Sequence, residues 1–105
     1  MSRNEKIAAY IGFSIKSRNV LYGYESVIAS GRKCRLILCD RALSENSLKK
    51  VDAFAAKMGI KRYCIEALSD YFGGKPVKCI GLVEEHLASA TENELLRNSE
   101  VGTDE

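Results

Sequence analysis

The sequence has no tryptophan, one proline and one histidine among its 105 residues, and it has no long hydrophobic run. A membrane-spanning helix needs roughly 18 consecutive apolar residues, and the polar N-terminus lacks the pattern of a secretion signal. These absences predict a cytoplasmic protein without membrane contact. With 46% hydrophobic and 29% charged residues, the length allows one globular domain. We expect that domain at residues 1–98 and a disordered acidic tail at 99–105.

The cysteines also lack a recognisable spacing. None of the four forms a C-x-x-C pair, and each lies in or beside an apolar run typical of a strand (Cys34, Cys39, Cys64 and Cys79). This pattern favours buried free thiols over a disulfide or a zinc site.

Enzyme motifs are missing as well. His86 stands beside Glu84 and Glu85 without a cysteine or serine at a catalytic spacing, so we expect it on a helix surface. "FGGKP" lacks the spacing of a phosphate loop. "LILCD" ends on Asp40, as in the phospho-acceptor strand of response-regulator receivers, but no acidic pair stands upstream to hold magnesium. We therefore expect a non-enzymatic protein that has no metal and no other cofactor.

Acidic residues are scarce in most of the chain. Residues 1–83 carry 15 Lys/Arg and 7 Asp/Glu, a net charge of +8, whereas residues 84–105 carry a net charge of −6. The basic segment 1–83 suits an anionic partner such as nucleic acid. A solvated surface on which the two signs of charge are segregated by chance would give the same net charges.

Hydrophobic periodicity predicts alternating helices and strands. Ser2 and Glu5 form a capping-box pattern before a first helix that ends near 16–19, with apolar positions at Ile7, Ala8, Ile11 and Ile15. Helices are also expected at about 24–30, 45–58, 68–72 and 84–96. Gly31, Ser44 and Gly59 are expected as helix caps. Strands are expected at 20–21 and in "CRLILC", "KRYCIE" and "VKCIGLV". This order predicts an α/β fold with both faces of the sheet covered.

Two longer motifs carry a resemblance to a known family. "SGRKCRLILCDRALSENSLKK" and "LSDYFGGK", which has Ser69 where the family has a first glycine, resemble segments of small ribosomal RNA-binding proteins. The family is the "L-seven-Ae / L-thirty-e" family, in particular its bacterial YlxQ-type members, and the resemblance covers about residues 6–90. It implies a three-layer α/β/α sandwich with a central mixed sheet of about four strands. It also implies binding to structured RNA, above all ribosomal RNA and kink-turns, beside ribosomal or translation-related proteins.

The resemblance implies two RNA-binding segments. The first, at the start of the second helix, is Gly23, Tyr24, Glu25 and Ser26. The second, before the last strand, is Gly74, Lys75, Pro76 and Val77. A glycine lets backbone approach RNA closely, a tyrosine can stack on an unpaired base, and helix-start N–H groups attract phosphate. The cations expected to contact phosphates are Arg18, Arg32, Lys33, Arg41, Lys75 and Lys78.

One segment departs from the strongest kink-turn binders, which carry Gly-x-Asn-Glu-x-x-Lys. Glu25, Ser26 and Ala29 stand where that pattern has asparagine, glutamate and lysine. "GYES" is closer to the Gly-Tyr-Lys-Ser of the "L-thirty-e" branch, with the sign of the third residue reversed. Two hypotheses stay open: a ribosome-associated RNA-binding protein, or a protein-interaction module on the same scaffold that has lost specific kink-turn recognition.

Overall fold

The four strands are short apolar runs: β1 (Val20–Tyr22), β2 (Leu36–Asp40), β3 (Lys61–Ile65) and β4 (Cys79–Leu82). The computed structural model, which describes residues 4–98, joins them in one mixed sheet in the order β1-β4-β2-β3. β2 pairs in parallel with β3, and β4 lies antiparallel between β1 and β2. Every residue of β2 and β4 is buried, because these strands are central and covered on both faces.

Helices cover both faces of this sheet. They are α1 (Glu5–Lys16), α2 (Tyr24–Ala29), α3 (Glu45–Met58) and α4 (Glu85–Asn98), with 3-10 helices at Gly31–Lys33 and Leu68–Phe72. Successive strand residues point to opposite faces, so Leu36 and Leu38 pack with α1 and α4, whereas Ile37 and Cys39 pack with α2 and α3. The expected α/β class and three-layer α/β/α sandwich are therefore confirmed. None of the helices within residues 4–98 has the length and apolarity needed to cross a bilayer.

The helix ends follow capping chemistry, with differences from the sequence prediction. Asn4 caps α1 and accepts a hydrogen bond from the Ile7 N–H, so Ser2, outside the described residues, is not the cap. Ser44 caps α3 and Gly59 ends it in the left-handed conformation, both as expected. Glu84 precedes α4 rather than opening it, and its carboxylate accepts from the Leu87 N–H. The acidic tail expected at 99–105 also lies outside the described residues.

One position of the predicted α1 core is wrong. Ile15 is exposed, and Ser14 is fully buried in its place, where its hydroxyl donates to the Tyr10 carbonyl at 3.0 Å. A serine that bonds to its own helix backbone fits into a core without an unsatisfied polar atom. The helical period therefore located the buried face of α1 only as far as Ile11.

The free cysteines form a row across the sheet. Cys39 of β2 lies opposite Cys64 of β3 and Cys79 of β4, and the Cys39 and Cys79 sulfurs are 3.8 Å apart. The hydrogen bond between Cys39 and Cys79 and the burial of the thiol raise the pKa of Cys39, so this thiol is neutral at physiological pH. All four cysteines are free, as expected, and three of them are buried.

Because β4 runs against its two neighbours, the sheet has two distinct ends. At one, which we call the Gly23 end, β1, β2 and β3 finish and β4 begins. At the other, the Arg35 end, β1, β2 and β3 begin and β4 finishes. From Arg35 to Arg41 the chain spans roughly 20 Å at about 3.3 Å per residue.

Candidate nucleic-acid interface

The two segments expected to bind RNA meet at the Gly23 end. The Gly23 N–H donates to the Cys79 carbonyl at 2.8 Å, and Tyr22 lies opposite Ile80 in the paired strands. The start of α2 therefore lies beside the loop that leads into β4. Gly23–Ser26 and Gly74–Val77 form parts of one surface, as the RNA-binding hypothesis requires.

Gly23 has a backbone conformation that requires glycine. Its φ of 87° and ψ of 149° fall in a region that other residues rarely adopt, and no side chain caps α2. The N–H groups of Tyr24, Glu25 and Ser26 lie in the first turn, where a helix offers them no acceptor of its own. Since the Gly23 N–H is already bonded and α2 has only six residues, these three N–H groups, rather than a long helix dipole, are the donors that this helix start offers.

The loop before β4 is held by its own backbone. Gly73 and Gly74 are both left-handed, and the Gly74 N–H donates to the Ser69 carbonyl at 3.0 Å. The Val77 N–H donates to the Lys75 carbonyl at 2.7 Å and closes a three-residue turn around Pro76. The side chains of Lys75 and Lys78 are exposed on this ordered loop.

Asp40 stabilises the same end from inside. It is only 7% exposed, and its two carboxylate oxygens accept hydrogen bonds from the N–H groups of Ala42, at 2.8 Å, and Leu68, at 2.9 Å. These bonds tie the loop after β2 to the 3-10 helix after β3. The strand-ending aspartate is thus a structural anchor, and Arg41, next to it, is exposed at the surface.

The aromatic residue that faces outward is different from the one expected. Tyr24 is half-buried in the α2–α3 layer, with the Lys50 ammonium 5.8 Å from its ring centre. Tyr22 is 48% exposed and packs edge-on against Phe72, with 5.7 Å between ring centres. Tyr22 was not among the expected RNA-binding residues; the signal for it in the sequence was its place directly after the short strand predicted at 20–21.

Tyr22 lines a groove that reaches the loop before β4. The groove has a volume of about 540 Å³, and its walls are Ile15, Tyr22, Tyr71, Phe72, Lys75 and Val77. It combines aromatic surface with a lysine at its rim. Such a combination suits an unpaired base and its phosphate.

Three of the expected cations lie at the opposite end of the sheet. Arg18 is followed by Asn19, whose carbonyl accepts from the Val83 N–H beyond the finish of β4. Arg32 and Lys33 form the 3-10 helix that leads into β2. The structure therefore brings together Arg41, Lys75 and Lys78 but not Arg18, Arg32 and Lys33, because a charge count carries no information about which end of a strand a loop occupies.

Charges of both signs occupy the Gly23 end. The cations Arg41, Lys75 and Lys78 share it with acids on neighbouring elements, namely Glu25, Glu66 and Asp70. All six are exposed. A phosphate-binding contact at this end therefore has to use particular cations and backbone N–H groups, since there is no uniform positive field.

No group of three or more metal-binding side chains lies together among residues 4–98. His86 is exposed at the start of α4, as expected, and its Nδ1 lies 3.1 Å from Glu84. Hydrogen bonds from the Leu87 N–H and from His86 lower the pKa of Glu84, as is usual for a helix-capping carboxylate.

Comparison with known proteins shows the fold alone. No protein-family profile and no curated protein sequence matches the chain. Among solved structures, a protein of unknown function from Bacillus halodurans is similar, with a TM-score of 0.79 and 16% sequence identity. The match covers 86% of this chain and 96% of the other. This likeness supports the three-layer architecture.

Proposed function

We propose that this protein is a non-enzymatic, cytoplasmic RNA-binding protein that contacts structured RNA, with ribosomal RNA as the first candidate. The observation that carries the proposal is the hydrogen bond from the Gly23 N–H to the Cys79 carbonyl, because it holds the start of α2 beside the loop that leads into β4. These are the two segments that the resemblance to the "L-seven-Ae / L-thirty-e" family implies. Ribosomal or translation-related proteins are then the expected neighbours.

The surface offers three kinds of contact to a folded RNA. Gly23 lets a phosphate or sugar approach the backbone, and the first-turn N–H groups of α2 can donate to it. Lys75 and Lys78, held on an ordered loop, can pair with phosphates. Tyr22 supplies an exposed ring on which an unpaired base can stack.

A kink-turn is one form that this RNA can take. Glu25, which replaces the asparagine of strong kink-turn binders, can accept hydrogen bonds from a guanine edge but repels phosphate. Recognition is therefore expected to depend on the fit of the protein loops to a bent RNA and its unpaired bases. Affinity for bent and bulged RNA should then exceed affinity for a plain duplex of equal length.

Fluorescence anisotropy with ribosomal RNA fragments tests the proposal. The fragments should include a kink-turn, the same duplex without its bulge, and a single strand, each at several salt concentrations. We expect saturable binding that weakens as salt rises and favours the bulged fragments. An absence of binding to all fragments even at 50 mM salt would refute the proposal.

A second candidate is a protein-interaction module, which the mixed charge of the Gly23 end favours. Glu25, Glu66 and Asp70 place negative charge where an RNA-binding surface is usually positive. Purification from a cellular extract with and without nuclease separates the candidates. Partners that survive nuclease and are lost when these three acids are replaced by glutamine or asparagine support this second function.

A further inference from the structure

The cations at the Arg35 end surround one cavity. Arg32, Arg35 and Lys57 line a pocket of about 580 Å³, and Met58 and Ile60 form its apolar side. The pocket lies where the 3-10 helix after α2 meets the C-terminal turn of α3. Neither the sequence nor the family resemblance placed Arg35 or Lys57 in a binding site.

Arg32, Arg35 and Lys57 form no ion pair with an acidic residue among residues 4–98. Other cations in that part of the chain do, for example Lys61 with Glu92 and Arg62 with Asp52. Cys34 also lines the pocket, and burial raises the pKa of its thiol to about 11, which leaves it neutral. Like charges around one cavity repel each other, so a bound anion would stabilise the arrangement.

The pocket continues into an apolar groove. Lys57 and Met58 also line a second cavity of about 580 Å³, whose other walls include Ile28, Ala53 and Phe54. The groove exists because α2 has six residues and α3 has 14, so that the short helix leaves part of the long one uncovered. A ligand with an anionic part and an apolar part can therefore occupy both cavities at once.

We propose that Arg32, Arg35 and Lys57 bind the phosphate groups of a nucleotide whose base lies in the adjoining groove beside Met58. Two guanidinium groups offer paired donors for phosphate oxygens, and three cations match a chain of phosphates better than a single carboxylate. Both cavities have volumes typical of small-molecule sites. The nucleotide is either free or part of an RNA strand. The site lies at the opposite end of the sheet from Gly23, so the inference does not depend on the proposed function.

Titration of the intact protein tests the inference directly. Inorganic triphosphate, ATP without divalent metal, and a single-stranded RNA are added separately, with calorimetry and amide chemical shifts as readouts. We expect saturable shifts at residues 31–35 and 57–60 with triphosphate, and tighter binding with ATP because the base adds contacts. If RNA shifts these same amides and displaces ATP, the nucleotide belongs to RNA; if only ATP does so, the ligand is a free nucleotide.

A double variant identifies the residues responsible. Arg32→Gln with Arg35→Gln should weaken triphosphate binding about tenfold or more, as expected for the loss of charge-assisted hydrogen bonds. Lys6→Gln with Lys49→Gln removes the same charge from exposed positions outside the pocket and should change the affinity less than about twofold.

Two results would overturn the inference. One is equal weakening in both double variants, which would mean diffuse attraction to a basic surface. The other is the absence of saturable shifts in the wild-type protein with all three probes. In that case the cations only compensate the negative C-terminal ends of α2 and α3. The arginine double variant would then lower the melting temperature without any effect on ligand binding.

Discussion

The two ends of the sheet present positive charge in different ways. At the Gly23 end, positive character comes from backbone N–H groups and three cations interspersed with acids. At the Arg35 end, it comes from side chains that converge on a cavity, beside helix C-termini whose carbonyls are negative. The +8 of residues 1–83 is therefore divided between a surface of mixed charge and a pocket lined by cations.

The largest expected effect concerns the anchor of the Gly23 end. Asp40→Ala leaves two N–H groups without their carboxylate and should lower the free energy of unfolding by about 3 kcal/mol. Hydrogen exchange should accelerate most at Ala42 and Leu68. Denaturant unfolding measures the total loss of stability, and hydrogen exchange shows which residues have lost protection.

Asp52→Ala is the matched control for Asp40→Ala. Asp52 also accepts hydrogen bonds from a charged partner, Arg62, but its side chain is 46% exposed, so its loss should lower stability by about 1 kcal/mol or less. Equal losses in the two variants would contradict an anchoring role for Asp40.

The second prediction concerns Gly23, the glycine at the centre of the proposed RNA-binding surface. Gly23→Ala forces alanine into a glycine-only conformation and should destabilise the protein by about 2 kcal/mol. Gly12→Ala, within α1 and with open space around an added Cβ, should instead stabilise it by about 0.5–1 kcal/mol. Thermal unfolding compares the two. A Gly23→Ala variant with unchanged stability would show that the backbone at this position is not restricted to glycine.

The third prediction concerns the lysines of the loop before β4. Lys75→Gln with Lys78→Gln should weaken binding to a bulged RNA about tenfold and lower the slope of log affinity against log salt by about 1.5. Triphosphate affinity should stay within about twofold, because that pocket lies at the other end. Salt-dependent anisotropy measures the slope, and the Lys6→Gln with Lys49→Gln variant provides the control. If the salt slope of the Lys75→Gln with Lys78→Gln variant equalled that of the wild-type protein, RNA would bind at another surface.

The smallest expected effect concerns the sign of one first-turn residue. Glu25→Lys removes a charge that repels phosphate and should strengthen RNA binding about fivefold at moderate salt. Glu85→Lys makes the same change in the first turn of α4, at the Arg35 end, and should leave that affinity within about twofold. Equal gains would show that net charge, rather than position, governs binding.

Sequence patterns predicted the fold well, because buried strands and capped helices have local signals. The contiguous run from Leu36 to Leu38, the Ser44 cap and the left-handed Gly59 all lie where expected. The sequence could not assign loops to ends of the sheet, since that depends on strand order and direction. Arg32 was therefore grouped with Lys75, although the antiparallel β4 separates them.

The aromatic contact shows a second limit. Tyr24 follows the family motif, yet its ring packs towards α3, whereas Tyr22 two residues earlier is exposed. Which of two nearby rings is accessible depends on the tertiary packing of α2. Hydrophobic periodicity does not report that packing for a helix of six residues.

The central position of β4 has a kinetic consequence. Within residues 4–98, β1 pairs with β4 alone, although almost 60 residues separate the two strands along the chain. During synthesis, β1 must therefore wait for β4 to leave the ribosomal tunnel, and only then can Gly23 meet Cys79. A nascent chain that stops before Cys79 would have β2 and β3 but not the proposed RNA-binding surface, so this surface forms only when the whole sheet has been synthesised.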